Sequence, residues 1–272
     1  MVLSRRLIGF ALAASAALSL LASPQSFAQD KVGILMLHGK SPGSSQDPSM
    51  GQLKTNLERE GWIALLPDMP WSRLRYIDGN WDKAMGEVAS HVAALRAQGA
   101  TKVVVIGHSL GVPAAMSHAA RGGDAQALVL LAPGHVPVSY YNIPQLKAVR
   151  ESVDEARALV AAGKGDSTQR FTDINQGKQQ NLVMTPNNFL SYFDPASDAE
   201  MSVTAPRVPA TTPVMVVVGQ EDSMFTRARG YFADKLPTNP KSAYVEVKGG
   251  HTATPRVANN EVIAFIKTAL QP

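Results

Sequence analysis

Lys102-Val103-Val104-Val105-Ile106-Gly107-His108-Ser109-Leu110-Gly111 decides how the rest of the chain is read. Four consecutive β-branched residues, Val103 to Ile106, predict a strand buried on both faces. Glycine ends the strand, and a helical pattern continues through Arg121. A serine in the pattern G-x-S-x-G, between strand and helix, sits on a turn so tight that its backbone is strained and its hydroxyl projects from the chain. Strand and helix then approach so closely that the positions two before and two after must be small, and Gly107 and Gly111 meet that demand. The amides that open the following helix face the surroundings of the serine oxygen, where negative charge develops during attack on a carbonyl. Ser109 is therefore the candidate nucleophile.

Outward from this stretch, apolar β-rich runs alternate with helical patterns, the signature of parallel βαβ units. The runs are Val32–Leu37, Trp62–Leu66, Lys102–Ile106, Ala127–Leu131, Pro213–Val218 and Ala243–Val247. Met50, Leu53 and Leu57 share a helical face before Gly61, and Met85, Val88, Val92 and Leu95 do so before Gly99. A last helix is expected after Pro255, carrying Val262, Phe265 and Ile266. The interval from about 136 to 212 breaks the rhythm. It holds a helical stretch from Ile143 to Ala162, an aromatic cluster (Tyr140, Tyr141, Phe171, Phe189, Tyr192, Phe193) and a turn, Gly163 to Ser167, expected to be mobile. The expected fold is α/β: a three-layer α/β/α sandwich around a six-stranded, mainly parallel sheet, with a small cap insertion over 136–212.

A hydroxyl needs a base. His251 follows the last strand in Val247-Lys248-Gly249-Gly250-His251, at the carboxyl end where open parallel sheets build their sites. The base needs an acid to hold its tautomer. Asp222 lies past the turn after the fifth run, in Gly219-Gln220-Glu221-Asp222, with Glu221 as the competing carboxylate. After the fourth run, Leu131-Ala132-Pro133-Gly134-His135 offers no acid. The loop after the first strand, His38-Gly39-Lys40-Ser41-Pro42-Gly43-Ser44-Ser45, can supply a backbone N–H to the serine, from Lys40 or from Ser41, with the Leu110 amide as the second donor. His38 is expected to order that loop by hydrogen bonds, and the Lys40 ammonium to be solvated. His108 is read as structural and His135 as a candidate cavity residue. Asp68 is expected to tie down its own loop, and His91 and His118 to be surface or packing residues.

Taken together, His38-Gly39, Gly107-His108-Ser109-Leu110-Gly111, Asp222 and His251 resemble the α/β-hydrolase superfamily in type, order and spacing, over about residues 31–134 and 212–270. The resemblance implies Ser109 as nucleophile, His251 as base, Asp222 as orienting acid, and the Leu110 and Lys40 amides as oxyanion hole. It places the insertion where the superfamily carries its cap. The early start of the first strand leaves no room for two further strands, as in small lipase-like members. Val112 after Gly111 departs from the exported prolyl-peptidase branch, which usually has a second glycine there. The activity implied is hydrolysis of an acyl bond, a carboxylic ester foremost, through an acyl-serine intermediate. Acyl transfer or peptide cleavage by the same triad, or a non-catalytic binding protein on the same fold, are the alternatives.

Composition bounds the rest. The chain has 272 residues, 45% of them hydrophobic and 18% charged, enough for a sizeable core. It has no cysteine, which excludes disulfides, thiolate zinc sites and a cysteine nucleophile. Its six histidines form no close metal-ligand pair, so neither metal nor cofactor is expected. Arg5 and Arg6, the uncharged run Leu7 to Leu21 and Ser26-Phe27-Ala28 form a secretory signal peptide over residues 1–28, with the hydrolase domain over 29–272 and a periplasmic or secreted product. The apolar run is too short to span a bilayer, so no stable membrane insertion is expected after cleavage. Removing residues 1–28 takes away two arginines and no acid, lowering the formal charge from +4 to +2. That charge, with scattered basic residues, excludes a nucleic-acid partner. The expected partner is a small-molecule acyl substrate.

Overall fold

The computed structural model describes residues 30–175 and 177–271; the signal segment read over 1–28 lies outside them. Six strands, β1 (Val32–Leu37), β2 (Ile63–Leu65), β3 (Lys102–Ser109), β4 (Ala127–Pro133), β7 (Val214–Gly219) and β8 (Ala243–Val247), form one sheet in the order β2-β1-β3-β4-β7-β8. Every neighbouring pair is parallel, with Leu35 facing Leu65 on one side and Val105 on the other. The strand order reverses between β1 and β3. Open α/β sheets place their binding crevice beyond the carboxyl ends of the strands at such a switch point. The loop carrying Lys40 leaves β1 there, and Ser109 ends β3.

Alternation along the strands divides the core in two. Leu35, Leu37, Val103 and Val105 face α2 (Trp81–Ala97) and α3 (Gly111–Ala120). Ile34, Met36, Val104 and Ile106 face α1 (Pro48–Arg59) and α10 (Asn259–Ala269). These eight side chains are fully buried, and each is worth about 1.5–3 kcal/mol relative to exposure. The helices start where the chain provides caps: the Asp47 side chain accepts from the Met50 amide before Pro48-initiated α1, and Asn80 accepts from Lys83 before α2. The helix expected after Pro255 is broken in two. Pro255 lies inside a short α9 (Thr254–Val257), which breaks at Ala258 before α10.

Between β4 and β7 the chain forms α4 (Pro137–Asn142), α5 (Lys147–Ala161), an antiparallel hairpin of β5 (Gln169–Asn175) and β6 (Lys178–Met184), α6 (Pro186–Phe193) and α7 (Met201–Thr204); the short α8 (Ala228–Tyr231) follows β7. Phe171, Phe189 and Phe193 stack at 4.5 Å between successive ring centroids and join the same core as α2 and α3. The Ser191 hydroxyl accepts from the Trp81 amide at 2.9 Å, fastening α6 to the start of α2. The turn at Gly163–Ser167 is pinned rather than free: the Asn187 amide donates to the Gly165 carbonyl and its side chain to Asp166. The hairpin is absent from the sequence reading for a physical reason. Its inward positions in β5 are Phe171 and Asp173, and a carboxylate on the buried face erases the apolar alternation that announces a strand.

Candidate active site

Ser109 stands at the end of β3 with φ +55, a left-handed conformation that costs energy in a residue with a side chain, at the point where the β3–β4 register shifts. The turn is possible because nothing larger than hydrogen fits at its flanks. A Cβ on Gly107 would lie 2.1 Å from the Gly111 carbonyl oxygen, and one on Gly111 2.1 Å from that of Leu37. No side chain caps the start of α3 after Leu110, so its first amides stay directed at the region around Ser109.

The structure brings Ser109, His251 and Asp222 together from three strand ends. His251 Nε2 is 2.9 Å from Ser109 Oγ, and its Nδ1 is 2.7 Å from Asp222 Oδ2. An acceptor on Nδ1 fixes the proton there and leaves Nε2 to take the serine proton. The Asp222 side chain is fully buried. Burial by itself raises a carboxyl pKa, but hydrogen bonds from the His251 ring and the Met224 amide, with the attraction of His251, outweigh it and hold Asp222 below its ordinary value. Glu221, the competing acid, is exposed on the cleft rim, and the His251 ring pairs with Asp222 instead.

The loop after β1 is held from two sides. On the core side His38 is fully buried; its Nδ1–H donates to the Gly39 carbonyl at 2.7 Å, and its Nε2 accepts from the Met69 amide at 3.1 Å. Burial lowers its pKa and keeps the ring neutral, as those bonds require. Asp68 accepts from the Ser45 amide at 2.8 Å, tying down the same loop. On the cap side the expectation for Lys40 fails. Its ammonium is not solvated but buried against Asp173, 2.8 Å from both carboxylate oxygens. A lysine beside glycine and serine in a loop looks solvent-facing until β5, more than a hundred residues later, supplies the counter-charge. Desolvation lowers the Lys40 pKa against the pull of Asp173.

Two further histidines stand at the site. The His108 Nε2–H donates to the His251 carbonyl at 3.1 Å, so this residue positions the segment that carries the candidate base. His135 has φ +62, donates from Nε2 to the Tyr192 carbonyl at 2.7 Å and lines the cleft between Tyr140 and Phe193. Burial pushes both down to about 4, with the charge of His251 adding to the effect at His108 and that of Lys40 at His135. The sequence reading passed over Gly134. A Cβ there would sit 2.7 Å from Ser109 Oγ and 3.3 Å from His251 Cε1; the glycine after β4 was a signal that something approaches closely. His118 lies away from the site, bonded to the Asp124 carbonyl ahead of β4, and His91 lies on α2.

A cavity of about 520 Å³ opens on Ser109, His251, Lys40 and Leu110, with apolar walls from Val136, Tyr140, Ile143, Leu146, Ile174 and Met224. A smaller cleft of about 310 Å³ reaches the same serine and histidine from the side of Gly39, Asp47, Arg73 and His108. Among the described residues no group of three or more His, Asp or Glu side chains is placed to hold a metal ion, and no helix is long and apolar enough to cross a membrane.

Comparison with known proteins agrees with this architecture. The model of the "Alpha/beta hydrolase family" matches residues 34–264. A 2-hydroxy-6-oxononadienedioate/2-hydroxy-6-oxononatrienedioate hydrolase of Dechloromonas aromatica is 25% identical over 202 residues, covering 70% of each chain. Among solved structures, a metagenome-derived lipolytic enzyme superposes with a TM-score of 0.59 at 14% identity, covering 88% of this chain and 94% of its own. Est1E of Butyrivibrio proteoclasticus with ferulic acid bound superposes with a TM-score of 0.55 at 16% identity, covering 90% of each chain. At these identities the structures share the fold.

Proposed function

The chain belongs to the alpha/beta hydrolase family, and from that premise we propose that it is a serine hydrolase cleaving an acyl bond, a carboxylic ester foremost, through an acyl-serine intermediate. The observation that carries this reading is the continuous hydrogen-bond chain from Asp222 through His251 to Ser109. In the reaction, Ser109 Oγ attacks the acyl carbonyl while its proton passes to His251 Nε2. Asp222 holds the imidazolium by its Nδ1–H, and the amides of Leu110 and Lys40 receive the oxyanion. Collapse breaks the bond to the alcohol, which leaves with the proton from Nε2. A water then gives its proton to the same nitrogen as it attacks the acyl-serine, and the acid departs with Ser109 restored. The 520 Å³ cavity with its apolar walls suits an acyl group of moderate size.

An activated serine reacts with a fluorophosphonate probe whatever its substrate, so labelling of the wild type and absence of labelling in Ser109→Ala is the expected result. An unlabelled wild type overturns the proposal. Hydrolysis of p-nitrophenyl esters of increasing chain length then reads the acyl preference. A 2-hydroxy-6-oxo-dienedioate is the alternative substrate. It takes its chemistry from the name of the 25%-identical relative, and it is favoured by the exposed Arg227 guanidinium at the cavity, which donates to Met224 Sδ and forms no ion pair with a described carboxylate. Turnover of that diacid, lost in Arg227→Met, distinguishes it from the ester. Export is part of the proposal, supported by the segment 1–28; N-terminal sequencing of the mature protein should begin near Gln29.

A further inference from the structure

The buried ion pair between the cap hairpin and the loop after β1 has no part in the chemistry described so far. Lys40 Nζ lies 2.8 Å from both Asp173 oxygens and 3.1 Å from the Ile174 carbonyl, so its three protons all find acceptors. Asp173 is fully buried, and its Oδ2 also accepts from the Tyr76 hydroxyl at 2.5 Å and from Gln180 Nε2 at 3.0 Å. Two residues along from Asp173, the Asn175 side chain donates to the Ser41 carbonyl. Burying two charges strips both of their hydration, so such a pair seldom stabilises a fold more than an apolar pair of equal size. What it does supply is fixed geometry, and the site it fixes matters. The loop Gly39-Lys40-Ser41-Pro42-Gly43-Ser44-Ser45 is braced from the segment after β2, where the Ser41 amide donates to the Trp71 carbonyl and the Arg73 amide to the Gly43 carbonyl, and from the cap through Lys40 and Asn175. Gly39 packs so tightly on the nucleophile that a Cβ there would lie 3.0 Å from Ser109 Cβ. The residue whose side chain is clamped is the one whose amide is the candidate oxyanion donor.

We propose that the Lys40–Asp173 pair is a positioning device: the β5–β6 hairpin grips the Lys40 side chain and so sets the Lys40 amide where the oxyanion forms. The cap then contributes to transition-state stabilisation as well as covering the cleft. This rests on the serine-hydrolase reading above. A donor to the oxyanion acts only once the charge has developed, so its displacement lowers kcat and leaves KM nearly unchanged.

The test compares the wild type, Lys40→Met, Asp173→Asn and the apolar double variant Lys40→Met/Asp173→Leu in the mature chain. The measurements are kcat and KM on a p-nitrophenyl ester, inhibition by an alkylboronic acid that occupies the oxyanion hole, and the thermal midpoint. Both single variants should lose roughly 10- to 100-fold in kcat, and the boronate Ki should rise in proportion. KM should stay within about threefold. The double variant, free of any unpaired buried charge, should recover the thermal midpoint while keeping the kcat loss. It decides the matter even where a single variant does not fold. Recovery of kcat together with the midpoint would show that the pair serves folding alone and would overturn the proposal. A rise in KM at unchanged kcat would overturn it as well, since the pair would then act on ground-state binding. Both failures leave fluorophosphonate labelling of the wild type intact, whereas failure of the serine-hydrolase reading abolishes it.

Discussion

Ser109, Asp222 and His251 each stand at or a few residues beyond the end of a strand of the parallel sheet, whereas Lys40 and His135 on the facing wall are held by groups from the insertion. On the sheet side the geometry comes from short turns at the ends of fully buried strands, and each bond joins neighbours at one edge of the fold. On the cap side the Lys40–Asp173 pair and the neutral His135 ring are buried, and they are held by bonds to β5 and to α6 of the insertion. Position is therefore robust on the sheet wall and conditional on the cap wall. A change to the first should act on the chemistry with the fold intact, and a change to the second should couple activity to stability and to pH.

The sharpest test of the sheet wall is Ser109→Ala, which should lower turnover by roughly 10⁶-fold with an unchanged circular dichroism spectrum. Retention of a tenth of the activity would remove Ser109 from the mechanism. Asp222→Asn should cost about 10⁴-fold by placing the His251 proton on the wrong nitrogen, while Glu221→Gln, exposed and one residue away, should stay within about twofold. The reverse outcome in a side-by-side steady-state assay would reassign the acid and leave Ser109 and His251 in place. Gly134→Ala sits where the two walls meet. Its methyl group would intrude on Ser109 Oγ and the His251 ring, and turnover should fall about 10²-fold while the thermal midpoint moves by only a few degrees.

The smallest effect is in stability, and it belongs to the cap wall and to His108 beside His251. His135 and His108 titrate near 4 in the folded protein and near 6.5 when unfolded. Between those values the unfolded chain binds more protons, so stability rises with pH across the window and is lost on acidification from about 6.5 to about 4, on the order of 3 kcal/mol for each ring. The Asp222 contribution runs lower. A carboxyl held below its ordinary value stabilises the fold above its unfolded pKa, near 4, and gives way only in stronger acid. Urea titrations at pH 7, 5.5 and 4.5 should show this slope. His135→Asn, which tolerates the left-handed backbone at that position, should make it shallower, the remainder coming from His108 and from His38, His91 and His118, whose pKa burial also lowers. An unchanged slope would mean that His135 is not buried neutral.

Much of the site was legible in the chain because its signals are local. Gly107, Ser109 and Gly111 lie within five residues, and the requirement for small neighbours at a tight turn is written in those residues alone. His251 and Asp222 were found by their positions after strands whose apolar runs are continuous. The sequence leaves Glu221 in competition with Asp222, since adjacent carboxylates differ only in the direction a turn gives them. The cap hairpin and the left-handed backbone at His135 lie beyond reach for the same reason: each depends on what another segment brings alongside.

Local sequence thus determined the parallel sheet, the strained serine and the order of the three polar groups, because strand burial, turn sterics and helix periodicity act over fewer than about ten residues. Only the tertiary structure decided the fate of Lys40. Whether an ammonium stays in water or is buried is settled by the energy of removing it from solvent against the attraction of a counter-charge. Here that charge is Asp173, carried to Lys40 by the β5–β6 hairpin of the insertion.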